Sequence, residues 1–325
     1  MTRARVAVVA AALFVLVGCG GDDDTGDSGG SWTFTDGRDR AIELESRPDT
    51  VVAQTSVAAA LKDLGVEVEA VFGPLTLPDG SVDPQAAGLD PEKVTQLGDG
   101  GGDDYGNLDL EKLAGLKPDL VVTYMVVPPE LWYVNPATEK KVDKLVPTLA
   151  MNFQGKSLEE DIGAVSDVAE ALGADLDSER VRADKEAFDR AAFRLKTIGE
   201  QLGDRTILAA STTPDLFYAA DPSQFPDLAF YRSLGLPIEP VKGAPGGYWQ
   251  ELSWEKADTY NADIVLWDQR GGDAALKQLT SDPVFSTITA AKDGALVPWN
   301  TVAPMSRRAY ADVMNTLADR LEKFV

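Results

Sequence analysis

Histidine is absent from this chain of 325 residues, and cysteine occurs once, as Cys19. Without histidine a Ser-His-Asp arrangement is impossible, and the side chain most used to bind metals or to titrate near neutrality is missing. The same absence argues against a receptor for free zinc or manganese, which such side chains would ordinarily build. A single cysteine rules out an intrachain disulfide. Basic residues are scarce as well: 30 Lys and Arg stand against 53 Asp and Glu, for a formal net charge of −23. A field of that sign repels nucleic acid and anionic lipid, and it disfavours a highly anionic ligand. Long apolar runs are also missing. Residues 6–17 form an unbroken stretch of a dozen, whereas a bilayer core needs ~20. No nucleophile–base constellation stands out, so an enzyme is not expected. A hydrolase working through paired carboxylates is kept as a remote alternative, and a purely adhesive surface protein as a third class.

What is present begins with "MTRARVAVVAAALFVLVGCG". Arg3 and Arg5 precede the apolar run, and Gly18-Cys19 follows it. This reads as a secretory signal over residues 1–18. The segment "LVGC" resembles the bacterial lipobox, which implies an acylated Cys19 at the mature N-terminus. Loss of two arginines and no acid would leave a net charge of about −25. Residues 19–31 are acidic and rich in Gly and Ser, so they read as a flexible tether. The expected location is extracytoplasmic, with contact to the cell membrane through lipidated Cys19 only.

The body runs from 32 to 325, long for one domain and natural for two lobes. Apolar runs and helical stripes alternate along it. Residues 51–53 read as a strand, and Ser56 is placed to cap a helix over 57–64 that Gly65 stops. Residues 68–72 read as a strand and 73–102 as loop. A helical stripe covers 158–172, and a long proline-free helix covers 178–202. A new strand series opens at 205–211, with a helix and a strand expected in "LAFYRSLGLPIEP" and a closing helix over 305–324. The pattern argues for an α/β fold of two lobes with mainly parallel central sheets. The division is an N-terminal lobe over 32–176, a connecting helix over 177–203 and a C-terminal lobe over 204–325. Matched lobes leave a cleft, a preferred place for a small ligand.

One phrase occurs twice. "YGNLDLEKLAGLKPDLVVTY" (105–124) and "WQELSWEKADTYNADIVLW" (249–267) keep step when Glu111 is set against Glu255. An aromatic (Tyr105, Trp249) precedes each Glu, a capping residue (Asp109, Ser253) starts each helix, and an Asp (Asp119, Asp263) opens each apolar run. From spacing, Glu111 and Glu255 serve either to offset helix dipoles or to present one carboxylate per lobe to a common partner. Tyr124, at the end of a strand, points where ligands bind in such sheets. Tyr105, Trp132, Tyr133, Tyr218, Trp249 and Trp267 are the other candidate cleft aromatics, with Phe217 and Trp299 behind them, and lobe core is the alternative for each. Arg270, Arg307 and Arg308 are candidate cleft cations, with solvated surface as their alternative.

"NLDLEKLAGLKPDLVV", "WQELSWEKADTYNADIVL" and "DPVFSTITAAKDGALVPW" together resemble the substrate-binding proteins of iron-siderophore and cobalamin ABC importers over nearly all of 45–325. The resemblance implies two α/β lobes, a rigid connecting helix and a ligand held between the lobes. It implies that Glu111 and Glu255 dock onto arginines of the membrane permease. It implies a small-molecule metal chelate as ligand, with Fe3+ as cargo and no cofactor, and a monomeric receptor. The negative charge favours a hydroxamate siderophore over a trianionic catecholate, and cobalamin remains open.

Overall fold

The computed structural model describes residues 31–77, 79–98, 106, 108–243 and 247–325. Residues 1–18, most of the tether with Cys19, and Tyr105 lie outside the described residues.

A short antiparallel hairpin, β1 (Trp32–Thr35) and β2 (Ala41–Leu44), opens the N-terminal lobe. The strand β3 (Val51–Gln54) runs directly into the helix α1 (Thr55–Asp63). No spare residue separates them, so the cap falls on Gln54 rather than on Ser56. The Gln54 side-chain oxygen accepts from the backbone N–H of Ser56 at 2.8 Å, and the Ser56 hydroxyl donates to the same oxygen. Gly65 ends this segment with a φ of +96°, a conformation that favours glycine. Then come β4 (Ala70–Phe72), β5 (Thr95–Gln96), α2 (Leu110–Leu116), β6 (Leu120–Met125), α3 (Pro136–Val142) and β7 (Thr148–Asn152).

The sheet order is β5-β4-β3-β6-β7, with every pairing parallel. Such a sheet must be covered on both faces, and β3, β4 and β6 are buried at every position. Alternate residues divide between two cores. Val51, Ala53, Val122 and Tyr124 pack with α1 residues, while Val52, Phe72, Val121 and Met125 pack with Leu113 of α2 and Val142 of α3.

The helix α4 (Leu158–Ala171) starts with a capping box between Ser157 and Glu160. Its stripe is shared between the lobes. Val165, Val168 and Ala169 join the N-terminal core, whereas Leu158 and Ile162 join the C-terminal core. The connecting helix α5 (Glu179–Leu202) is 24 residues long, about 36 Å. It buries Phe188, Leu195, Ile198 and Leu202 in the C-terminal core. At Gly199 an added Cβ would lie 2.8 Å from the Gly235 carbonyl carbon, so the close approach there requires glycine.

The C-terminal lobe comprises β8 (Ile207–Thr212), β9 (Leu216–Ala220), α6 (Pro226–Ser233), β10 (Trp249–Ser253), β11 (Ile264–Asp268), α7 (Gly272–Ser281), α8 (Thr289–Lys292), β12 (Leu296–Trp299) and α9 (Arg307–Leu321). The sheet order is β10-β9-β8-β11-β12. The trio β8, β11 and β12 is parallel, but β9 and β10 are antiparallel. This lobe is therefore mixed. Only residues 213–215 separate β8 from β9, and a parallel connection needs a dozen or more. The strand expected after α6 reduces to a single bridge between Ile238 and Ile207. The helix α9, capped by Ser306, packs along α5.

The two lobes meet at their base, where the Ser306 hydroxyl of the C-terminal lobe donates to Asp63 of α1 at 2.6 Å. Met305 packs against both cores. No helix among the described residues is long and apolar enough to cross a membrane.

Candidate functional site

A cavity of about 960 Å³, open to solvent, lies between the lobes. The N-terminal wall is built at the C-terminal ends of the parallel strands β6 and β7, where an open α/β sheet places its ligands. Tyr124 is the penultimate residue of β6. Beyond it the chain folds back, with the Trp132 N–H donating to the Tyr124 carbonyl at 2.8 Å and the Thr123 hydroxyl to the Trp132 carbonyl at 2.9 Å. This brings the Trp132 ring to 5.8 Å from the Tyr124 ring. Phe153, just past β7, stacks on Tyr124 at 4.8 Å.

The C-terminal wall is Phe225, Tyr248 and Trp249. The Phe225 ring lies 4.9 Å from that of Trp249 and 5.4 Å from that of Tyr248, both edge to face, the geometry that ring quadrupoles prefer. The Tyr248 hydroxyl donates to the Val126 carbonyl of the opposite lobe at 2.8 Å, so it ties the two walls together.

Among the described residues, two charged side chains line the same space. Arg270 lies in the turn after β11. Its guanidinium donates to both oxygens of the buried Asp268 carboxylate, at 3.0 Å from Nε and 2.6 Å from one terminal nitrogen. Ser211 and Thr301 hydroxyls complete the bonding of that carboxylate. Burial is the largest single influence and works against the Arg270 charge, but the Asp268 hydrogen bond and the attraction of Asp268, Tyr133 and Tyr124 together outweigh it and raise the arginine further. Asp161, in the first turn of α4, is 0% exposed, and neither of its side-chain oxygens has a hydrogen-bond partner among the described residues. Burial, reinforced by neighbouring Glu160, pushes this carboxyl up to about 8.

Of the residues singled out in the sequence, the cavity brings together Tyr124, Trp132, Trp249 and Arg270. The others are placed elsewhere. Tyr133 stands edge-on to Trp132 at 5.5 Å and bonds to Gln85, behind the wall. Tyr218 lies on β9, its ring 6.2 Å from that of Trp249. Trp267 belongs to the C-terminal core, as does Phe217. Trp299 is buried too, with its indole N–H donating to Asp227 at 2.6 Å. Arg307 and Arg308 line a smaller hollow of about 420 Å³ at the base of the lobes, with Asp63 and Asp184. There the Arg307 guanidinium sits 5.1 Å over the Phe188 ring, and Arg308 approaches Asp63 at 3.7 Å. A helix start that docks against α1 and α5 points these two side chains away from the main cavity.

Sequence reasoning passed over Phe153, Asp161, Phe225 and Tyr248. A signal existed for Asp161: it interrupts the apolar stripe between Leu158, Ile162 and Val165, where a hydrophobic residue would serve packing better. Glu111 and Glu255 are both exposed. Asp109 caps α2 as expected, accepting from the N–H groups of Glu111 and Lys112. Ser253 makes no such cap bond, because the second copy forms a single 3-10 turn over Trp254–Lys256. Its hydrogen bond goes to the Glu255 side chain and lowers that carboxyl below its ordinary value.

The comparisons with known proteins agree with this architecture. The ferric-siderophore receptor protein DesE from Streptomyces coelicolor is similar at 34% identity and a TM-score of 0.81, over 90% of this chain and 98% of that one. The petrobactin-binding protein YclQ from Bacillus subtilis shares the fold at 18% identity and a TM-score of 0.69, over 90% and 99% of the two chains. FhuD2 from Staphylococcus aureus, solved with bound ferrioxamine B, shares it at 20% identity and a TM-score of 0.60, over 85% and 99%. No curated protein matches the sequence significantly. The family model for periplasmic binding proteins matches residues 50–302, and with two lobes closing on an aromatic cavity the chain belongs to that family.

Proposed function

We propose that the protein captures a ferric siderophore of the hydroxamate type outside the cytoplasm and delivers it to an ABC importer. The observation that carries this reading is the interlobe cavity. Among the described residues, six aromatic side chains from both lobes wall it, and the cation that lines it, Arg270, is already paired with Asp268. The cavity is open to solvent and its lining is mostly apolar and aromatic, which suits a bulky, amphipathic chelate. A trianionic catecholate would need several unpaired cations to offset its charge, whereas a ferric hydroxamate is neutral or weakly charged. The likeness to DesE supports the siderophore class. Iron is cargo in this reading, carried inside its chelator, and the protein works as a monomeric receptor without catalysis.

Trp132 and Trp249 report on the cavity directly, so titration of intrinsic fluorescence with a panel of chelates tests the proposal. Ferric tris-hydroxamates should quench it at the lowest concentrations. Tighter binding of a ferric catecholate or of cobalamin would replace the hydroxamate assignment, and no response to any chelate would overturn the siderophore reading. The membrane anchor is Cys19 in this account. Cys19→Ala should move the protein from the membrane fraction to the soluble one, and retention after a high-salt wash would refute the anchor. The exposed carboxylates of Glu111 and Glu255 are the docking points for the permease, one on each lobe.

A further inference from the structure

The cavity wall carries an acid that the protein leaves unanswered. Asp161 lines the cavity, is 0% exposed, and has no hydrogen-bond partner on either oxygen among the described residues. Such a group is costly unless something pairs with it, and its position in an apolar stripe gives packing no reason to keep it. Arg270, the guanidinium that lines the cavity from the C-terminal lobe, already has Asp268 as its partner. The faces around the space are aromatic: Tyr124, Trp132, Phe225 and Trp249. Aromatic rings beside a carboxylate are the combination that holds an alkylammonium, through cation–π attraction and charge pairing together.

We propose that Asp161 receives a primary ammonium group carried by the ferric hydroxamate ligand, an assignment that rests on the siderophore reading above. The groups that influence this carboxyl are Glu160 and Lys156 on its own side, with Tyr248 and Tyr310 facing it from the other lobe. In the empty cavity at pH 7 the acid holds its proton, since burial places it at about 8. An entering ammonium keeps its own protons and makes Asp161 release one to solvent, so binding of the cation is coupled to loss of one proton.

Calorimetric titration of the intact protein at pH 7, in two buffers of different ionisation heat, tests this. The probes are ferrioxamine B, which ends in a primary ammonium, and the same chelate acetylated on that nitrogen. The wild type should bind the ammonium form about tenfold or more tightly than the acetylated form and release close to one proton with the former alone. In Asp161→Asn the affinity ratio should fall to near one. Equal affinities in the wild type, no proton release, or a ratio preserved in Asp161→Asn would overturn the assignment while leaving the hydroxamate reading in place. Binding of neither chelate would overturn both.

Discussion

The two copies of the repeated phrase use the same residues for the sheet and different ones for the cavity. In the first copy Asp119 accepts from the N–H groups of Asp49 and Thr50, just before β3. In the second, Asp263 accepts from the N–H and hydroxyl of Thr206, just before β8. Each acid thus ties the start of its own strand to the neighbouring parallel strand, and β6 pairs with β3 as β11 pairs with β8. The copies then diverge. Tyr124 and Trp267 are both 7% exposed, yet only Tyr124 reaches the cavity. The chain beyond β6 turns back over Tyr124 and leaves its ring against Phe153 and Trp132. The chain beyond β11 turns at Asp268 and Arg270 and leaves Trp267 in the core. What the copies share is therefore what a parallel lobe needs to set its register. What they do not share is what borders the ligand space.

The sharpest break of this comparison sets Trp267 against Trp249. Trp267→Ala should cost ~3–5 kcal/mol of stability in urea unfolding, as expected for a large core truncation. Trp249→Ala, at a half-buried wall position, should cost less stability and instead weaken siderophore binding about tenfold or more. The reverse pattern would place the ligand on the other aromatic.

A second contrast lies between the buried acids. Asp227, bonded to Trp299, is pushed by burial up to about 6 from an ordinary value of 3.8. The unfolded chain gives up this proton at lower pH than the folded protein does. Between about pH 4 and pH 6 the folded state therefore holds more protons, and stability falls as pH rises, by on the order of 3 kcal/mol in total. Asp227→Asn should remove that part of the slope and raise the melting temperature at pH 7. An unchanged pH–stability profile would show that Asp227 titrates normally.

Removing the shared strand clamp should cost less. Asp263→Ala leaves a half-buried Thr206 donor unanswered and should lose about 2 kcal/mol, and Asp119→Ala, at an exposed site, about 1 kcal/mol. Equal losses would mean that exposure does not separate the two copies. The smallest effect on the folded protein is expected for Glu111→Lys and Glu255→Lys. Both are exposed, so melting temperature and siderophore affinity should not move, whereas uptake in cells should fall and fall further in the double variant. Wild-type uptake by the double variant would exclude docking through these carboxylates.

Most of the fold was legible because its signals are local. The run at 51–53, the stripe of α4 and the proline-free stretch of α5 each carry their periodicity within one element. The antiparallel pair β9 and β10 was missed because "LFYAA" is too short to be told from loop by period. The three residues before it, which forbid a parallel return, are informative only once it is known to be a strand. The cap of α1 was misplaced by two residues for a related reason: nothing in the sequence said that strand and helix abut.

The candidate site was legible only in part. Tyr124, Trp132, Trp249 and Arg270 stand out by residue type and by position near strand ends. Phe153, Phe225, Tyr248 and Asp161 acquire a role only when β7, α6, β10 and α4 converge on one space. Arg307 and Arg308 were drawn to the cavity by charge, but the start of α9 docks on α1 and α5 and turns them to the base of the lobes. By itself the sequence determined the alternation of strands and helices, the two lobes and the paired phrases, since hydrogen bonding and side-chain periodicity act between near neighbours along the chain. The tertiary structure alone decided which aromatics face the ligand space and left Asp161 without a partner among the described residues there, because residues far apart in sequence meet only when whole elements pack.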